Sequence, residues 1–193
     1  MDSQSAFSTR RIAITGALIA ITIILGWPIN APPLNALGFI VLGAAISFTF
    51  IHVPTIIGAV EEGPIVGFIV GLAFGLFSLF NAAQSTNAAD QIFRDPIISV
   101  LPRLLIGPAA WLVYNALKSN TYVALVAAAI TGTLTNTLLV VGAIAVRLQA
   151  DFFAIMASIL VNVGIELVVA VILVLAVVSA LRGLQIGKRA STV

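Results

Sequence analysis

The stretch Thr49–Phe80, TFIHVPTIIGAVEEGPIVGFIVGLAFGLFSLF, is two apolar runs joined by a short acidic turn, Glu61-Glu62-Gly63-Pro64. The second run carries glycine at positions 63, 67, 71 and 75. A four-residue spacing places those glycines on one helix face. With no side chains on that face, a neighbouring helix can approach to backbone contact, which is a main mode of helix association in lipid. The stretch therefore predicts a membrane hairpin whose second arm is a packing ladder.

Composition extends that reading to the whole chain. Of 193 residues, 61% are hydrophobic and 8% charged, and the mean hydropathy is +1.18. Soluble domains are roughly one-quarter charged. At about 20 apolar residues per span, the length allows about six spans in a single membrane domain over residues 1–193, with no room for a soluble one. The absence of cysteine excludes thiolate metal sites and a cysteine nucleophile, and one histidine, His52, cannot build a multi-histidine site. No metal and no cofactor are expected. The net charge of +2 is too small to argue for nucleic acid. An intramembrane serine protease would pair the histidine with a G-x-S-x-G serine, which is missing, so no enzyme is expected. An ion-coupled carrier or channel would show inverted repeats or a continuous polar path; neither is evident. A structural subunit of a membrane complex is the remaining rival to a binding protein.

Working outward, Arg10 and Arg11 precede a first helix at about 11–26, which carries an A-x-x-x-A pair, Ala13 and Ala17, with Gly16 and Ala20 beside it. Small residues at that spacing suit either internal packing or a partner helix. Residues 27–38 (WPINAPPLNALG) hold three prolines and read as a surface loop. Trp27 there is an interfacial anchor or a lid residue. Residues 39–50 leave helix and extended hairpin open. Further helices are expected at about 52–61, 64–80, 96–117, 121–147 and 151–181, with a second polar loop at 81–95. The expected fold is thus an all-α membrane protein of six transmembrane helices with two outward-facing lid loops. With the amino terminus cytoplasmic, Arg10, Arg11, Lys118, Arg182, Lys188 and Arg189 fall inside and only Arg94 and Arg147 outside. That distribution obeys the positive-inside rule, so both termini are expected in the cytoplasm.

Arg103 and Glu166 are the ionisable side chains that this map buries in the bilayer, and such residues are site candidates by default. Helix rise puts Arg103 roughly 12 Å from the outer surface, and Asn136, Asn162 and Glu166 roughly 16–22 Å from it. The four converge in one layer beneath two loops, which favours a small-molecule pocket over a self-neutralising ion pair or simple interhelical hydrogen bonding. His52, where the 39–50 segment meets the second helix, serves either a helix start or the pocket. Trp27 and Asn81, at the starts of the two loops, complete the candidate ligand-binding set. Glu61 and Glu62 solvate the turn or dock a basic surface.

The ordered motifs resemble one family. Thr49-Phe50-Ile51-His52-Val53-Pro54, Leu101–Gly107 (LPRLLIG), Thr133–Thr137 (TLTNT) and the Asn162/Glu166 pair, together with the Gly-Pro hairpin turn and the A-x-x-x-A pair, resemble the S components of energy-coupling factor (ECF) vitamin transporters, in a pantothenate/pyridoxine-like subgroup. The resemblance covers nearly the whole chain; the acidic turn departs from it. It implies a non-enzymatic subunit in a prokaryotic plasma membrane. Such a subunit binds a small water-soluble vitamin from outside and works with a membrane coupling subunit and two cytoplasmic ATPases. Ala13 and Ala17 would then face the coupling subunit. Arg103 suits a carboxylate or phosphate, and Asn136, Asn162 and Glu166 suit hydroxyls or amides, so pantothenate is the favoured ligand.

Overall fold

The structure, a computed structural model, describes residues 8–31, 34–42 and 46–183, without the side chains of 29–31, 34–35, 41–42, 46–48 and 88–89. The basic residues Lys188 and Arg189 lie outside the described residues. The helices are α1 (Thr9–Gly26), α2 (Val53–Glu62), α3 (Pro64–Gln84), α4 (Ala88–Gln91), α5 (Pro96–Ser99), α6 (Leu101–Ala116), α7 (Thr121–Leu148) and α8 (Phe152–Arg182). A single 3-10 turn, Ile92–Arg94, joins α4 to α5.

Helix starts follow local chemistry. Ser8, Asp95, Asn120 and Asp151 each accept a backbone N–H from the first turn of α1, α5, α7 and α8, satisfying donors that have no partner within the helix. Proline opens α2, α3, α5 and α6, where its missing N–H costs nothing. Between α2 and α3 the chain reverses at Gly63, whose φ of 96° favours glycine.

The hairpin α2–α3 forms the centre. Residues Val53 to Val60 of α2 are all buried, as expected for a helix that is apolar all round and enclosed by its neighbours. Ile56, Val66, Val70, Ile106, Leu125 and Val174 bring α2, α3, α6, α7 and α8 into one core. The glycine ladder is the contact between α3 and α6. A methyl group at Gly67 would lie 2.5 Å from Ala59 Cβ and 2.8 Å from Gly107 Cα, one at Gly75 would lie 2.8 Å from Val100 Cα, and one at Gly71 would collide with the Arg103 carbonyl. Gly63 belongs to the turn and not to the ladder.

Among the described residues, five helical stretches are long and apolar enough to cross a membrane: Thr9–Gly26, Pro64–Gln84, Pro96–Ala116, Thr121–Leu148 and Phe152–Arg182. The expected helix at 52–61 is present as α2 (Val53–Glu62) but is not among these five. Its ten residues rise about 15 Å, half of a ~30 Å hydrocarbon core. The chain is still extended up to Thr49, so α2 starts late, and Gly63 stops it early. The fourth span is interrupted at Val100, between α5 and α6. The third helix continues to Gln84, because Asn81 is held by its side-chain bond to the Gly26 carbonyl at 3.1 Å and nothing breaks the helix before Ser85. The second loop is correspondingly shorter than 81–95.

The segment between α1 and α2, left open between helix and hairpin in the sequence, forms four short antiparallel strands, β1 (Pro28–Ala31), β2 (Leu34–Ala36), β3 (Phe39–Leu42) and β4 (Ile46–Thr49), in the order β1-β2-β3-β4. Its β-branched and aromatic content suits a strand. The membrane-crossing body is helical, and this sheet covers one end of it.

Candidate functional site

Two cavities meet beneath the sheet. The larger, about 690 Å³, is lined by Phe39, Thr49, Phe74, Phe77, Ser78, Asn81, Asp90, Phe93 and Arg103 among others. The smaller, about 200 Å³, is lined by Phe39, Thr49, Phe93, Arg103, Asn136, Thr137, Asn162 and Glu166, closed by aliphatic residues of α7 and α8. Phe39, Thr49, Phe93 and Arg103 belong to both walls. The larger volume is in the range of small-molecule pockets, roughly 300–1,000 Å³.

Arg103 is the centre of this arrangement. It is 6% exposed. Its guanidinium carbon lies 5.4 Å from the Phe74 ring centroid and 5.2 Å from that of Phe93, so two aromatic rings hold it by cation–π contact. Nη1 donates to the Ile98 carbonyl. Nε has no hydrogen-bond partner, and no carboxylate among the described residues forms an ion pair with this arginine. Glu166 lines the same small cavity, but its Oε1 accepts the backbone N–H of Thr49 at 2.8 Å. The self-neutralising pair weighed in the sequence is therefore not formed. The ladder fixes the arginine's depth, since Gly71 lets the Arg103 backbone settle onto α3.

The other candidates divide. Asn136 is buried in the wall of the small cavity with an unpartnered Oδ1, and Asn162 lines the same wall. Thus the four polar residues placed in one layer by helix rise do line one cavity. Asn81 lines the larger cavity. Trp27 is 58% exposed and stacks on Phe77 at 6.2 Å between centroids; it lies at the rim and not among the lining residues. His52 is fully buried, its Nε2 2.9 Å from Thr133 Oγ1, and it lines neither cavity. It makes no side-chain cap to α2 either, so it ties α2 to α7. Ser158, one turn before Asn162 on α8, is exposed and bonds to its own helix at Ile155. Ala13 and Ala17 are exposed with Gly16 and Ala20, so that face of α1 is not used for internal packing.

Several lining residues had no place in the sequence reading. Phe74 is one residue from Gly75 of the ladder and Phe93 is the lone aromatic in the second loop; both positions were visible signals. Thr49 contributes a main-chain donor, for which side-chain chemistry gives no signal.

Glu61 and Glu62 neither solvate the turn nor stand free for a partner. Glu62 pairs with Arg10 at 3.3 Å and its carbonyl accepts from Arg11. Glu61 pairs with Arg182 at 2.7 Å. The first turn of α1 and the last turn of α8 thus meet at the α2–α3 turn.

A multi-span helical bundle with an arginine-bearing cavity under a sheet defines a class, membrane proteins that bind a small solute. Residues 10–178 match the family described as ECF transporter, substrate-specific component, and the chain belongs to that family. It is 30% identical over 152 residues, 69% of this chain and 76% of the relative, to a protein named pantothenic acid transporter PanT from Lactococcus lactis subsp. cremoris (strain MG1363). The chain is accordingly a multi-pass transport protein of the cell membrane and not an enzyme. Family membership implies a small-molecule vitamin substrate and association with the membrane and ATPase components of an ECF transporter.

Proposed function

We propose that this subunit binds pantothenate, a small hydrophilic acid, from outside the cell and presents it to a coupling subunit driven by two cytoplasmic ATPases. The observation that carries the reading is Arg103, a buried cation with no ion-pair partner among the described residues and with both cavities at its side. Burying an unpaired charge is costly, and a ligand carboxylate on the guanidinium fork offsets that cost with bidentate hydrogen bonds. The asparagines of the small cavity, Asn136 and Asn162, then suit the amide and hydroxyls of the same ligand, and Asn81 its outer end. The name of the 30% identical relative supports the same choice.

The proposal includes an orientation. Both termini lie in the cytoplasm, where Arg10, Arg11 and Arg182 gather at the α2–α3 turn, and the sheet faces outward as a lid. The exposed Ala13 and Ala17 form the face that meets the coupling subunit.

Calorimetry of the purified chain against a panel of vitamins, repeated with Arg103→Ala, tests the ligand. Binding of pantothenate, lost in the variant, is the expected result. Selective binding of an uncharged vitamin, or binding unchanged by the substitution, rejects the role of Arg103. Uptake by cells that persists with Ala13→Glu and Ala17→Glu rejects the docking face.

A further inference from the structure

β4 is one of the two edge strands of the sheet. An edge strand leaves alternate backbone N–H groups without a neighbour. Phe50 N–H, just past β4, turns inward and donates to the Gly38 carbonyl at 3.0 Å. Thr49 N–H faces the other way, and its partner is the Glu166 carboxylate of α8, 117 residues along the chain and 2.8 Å away. A main-chain donor withdrawn from water needs an acceptor, and here a carboxyl oxygen from the bundle meets the open edge.

The consequence reaches both cavities. Thr49 pairs with Phe39 across the β3–β4 hairpin, and the Thr49 hydroxyl donates to the Gly38 carbonyl at 3.0 Å. Gly38 N–H in turn donates to the Leu25 carbonyl at the end of α1, at 2.7 Å. The base of the hairpin is therefore moored on one side to α1 and on the other to α8. Thr49 and Phe39 stand in the walls of both cavities, so where the hairpin sits sets the shape of each.

We infer that Glu166 is a positioning residue: its carboxylate holds the open edge of β4 and so sets Thr49 and Phe39 in the cavity walls. This rests on the reading of the two cavities as the ligand site, and it changes what the acid does there. Glu166 acts on the ligand through the hairpin, and the property required is a hydrogen-bond acceptor at Oε1. An amide oxygen meets that requirement; a methyl group does not.

Hydrogen exchange measured by mass spectrometry on the ligand-free chain in nanodiscs tests it without any ligand. In the native chain the amides of residues 46–51 are expected to be protected. Glu166→Gln, which keeps an acceptor, leaves that protection within about twofold, whereas Glu166→Ala speeds exchange there by roughly ten- to a hundredfold. Protection in α6 and α7 stays unchanged in both, which distinguishes release of the hairpin from failure to fold. Thr49→Pro removes the donor from an edge strand, where proline is tolerated, together with the hydroxyl bond to Gly38, and, with Glu166 intact, is expected to lose at least as much protection as Glu166→Ala. Native-like protection in Glu166→Ala and Thr49→Pro overturns the inference. Equal loss in Glu166→Gln and Glu166→Ala overturns it in favour of a role for the charge. A wrong ligand assignment leaves these exchange results untouched and shows only in calorimetry.

Discussion

Two ends of the bundle each hold arginines and glutamates, and they use them in opposite ways. At the α2–α3 turn the charges close on one another. Arg182 reaches Glu61 at 2.7 Å, the Tyr114 hydroxyl at 2.6 Å and the Val60 carbonyl, while Arg10 and Arg11 take Glu62. At the sheet end Arg103 and Glu166 line one small cavity yet each is held by a backbone group, Ile98 and Thr49. The first arrangement ties α1, α2, α6 and α8 together. The second leaves a cation in a cavity wall with no ion-pair partner among the described residues. Charge that is satisfied within the chain serves the fold, and the proposed function gives the charge held in place but unpaired to a ligand.

The sharpest way to break the comparison is to truncate one arginine at each end. Arg103→Ala is expected to weaken pantothenate binding by roughly 2–5 kcal/mol, the usual cost of removing one partner from a buried charged contact, with little change in melting temperature. Arg182→Ala is expected to do the reverse, leaving the dissociation constant within about twofold and lowering stability. Calorimetry and thermal melts of both variants decide it. If both variants lose only stability, Arg103 is a structural group and the contrast fails.

The glycine ladder links the ends, since it sets the register of α3 on α6. Gly71→Ala would push a methyl into the Arg103 carbonyl, and overpacking of this kind costs roughly 1–3 kcal/mol. The shift moves Arg103 against Phe74 and Phe93, so binding is expected to weaken along with stability. Gly142→Ala is the control, because nothing lies within 4 Å of that position; it is expected to leave binding unchanged and to keep or raise stability, by up to about 1 kcal/mol, since alanine favours a helix interior.

The sequence made the bundle and the layer of polar residues legible for a physical reason. Apolar runs, prolines and helix rise are local quantities, and Arg103, Asn136, Asn162 and Glu166 were placed together by rise alone. Pairing was not legible, because it depends on which groups meet after folding. Arg103 and Glu166 read as a possible pair, but a main-chain N–H from residue 49 takes the acid. Glu61 and Glu62 read as exposed, but arginines from both ends of the described chain reach them. His52 read as a helix start or a pocket group, but the turn before α2 buries it against Thr133. The sheet was ambiguous because short apolar runs carry no decisive period.

A smaller effect is expected for the Arg182–Glu61 pair itself. The two side chains are 26% and 13% exposed, between the surface pairs that contribute under about 1 kcal/mol and the buried ones whose disruption costs about 3–5 kcal/mol. Arg182→Ala is expected to cost roughly 1–2 kcal/mol. The double variant with Glu61→Ala is expected to recover part of that loss, because it removes the acid left without its cation. Strictly additive melting shifts would mean that Tyr114 and the Val60 carbonyl, and not Glu61, hold the arginine.

The smallest expected effect concerns a third pair, Asp95 with Arg147 at 2.5 Å, two residues beyond Phe93. Asp95 caps α5 through the Ile97 N–H. That backbone hydrogen bond first, and the Arg147 guanidinium next, hold the carboxyl below its ordinary value of 3.8. A carboxylate with a depressed folded value adds stability above the unfolded value, and loses it as pH falls through the folded one. Asp95→Asn keeps a good cap and removes the charge. Its melting temperature is therefore expected to lie slightly below that of the native chain near neutral pH, with the gap closing as the pH is lowered below about 4. A gap that does not vary with pH would show that the cap works by hydrogen bonding alone. It would also mean that this pair, close to the cavity, contributes nothing to stability as a charge.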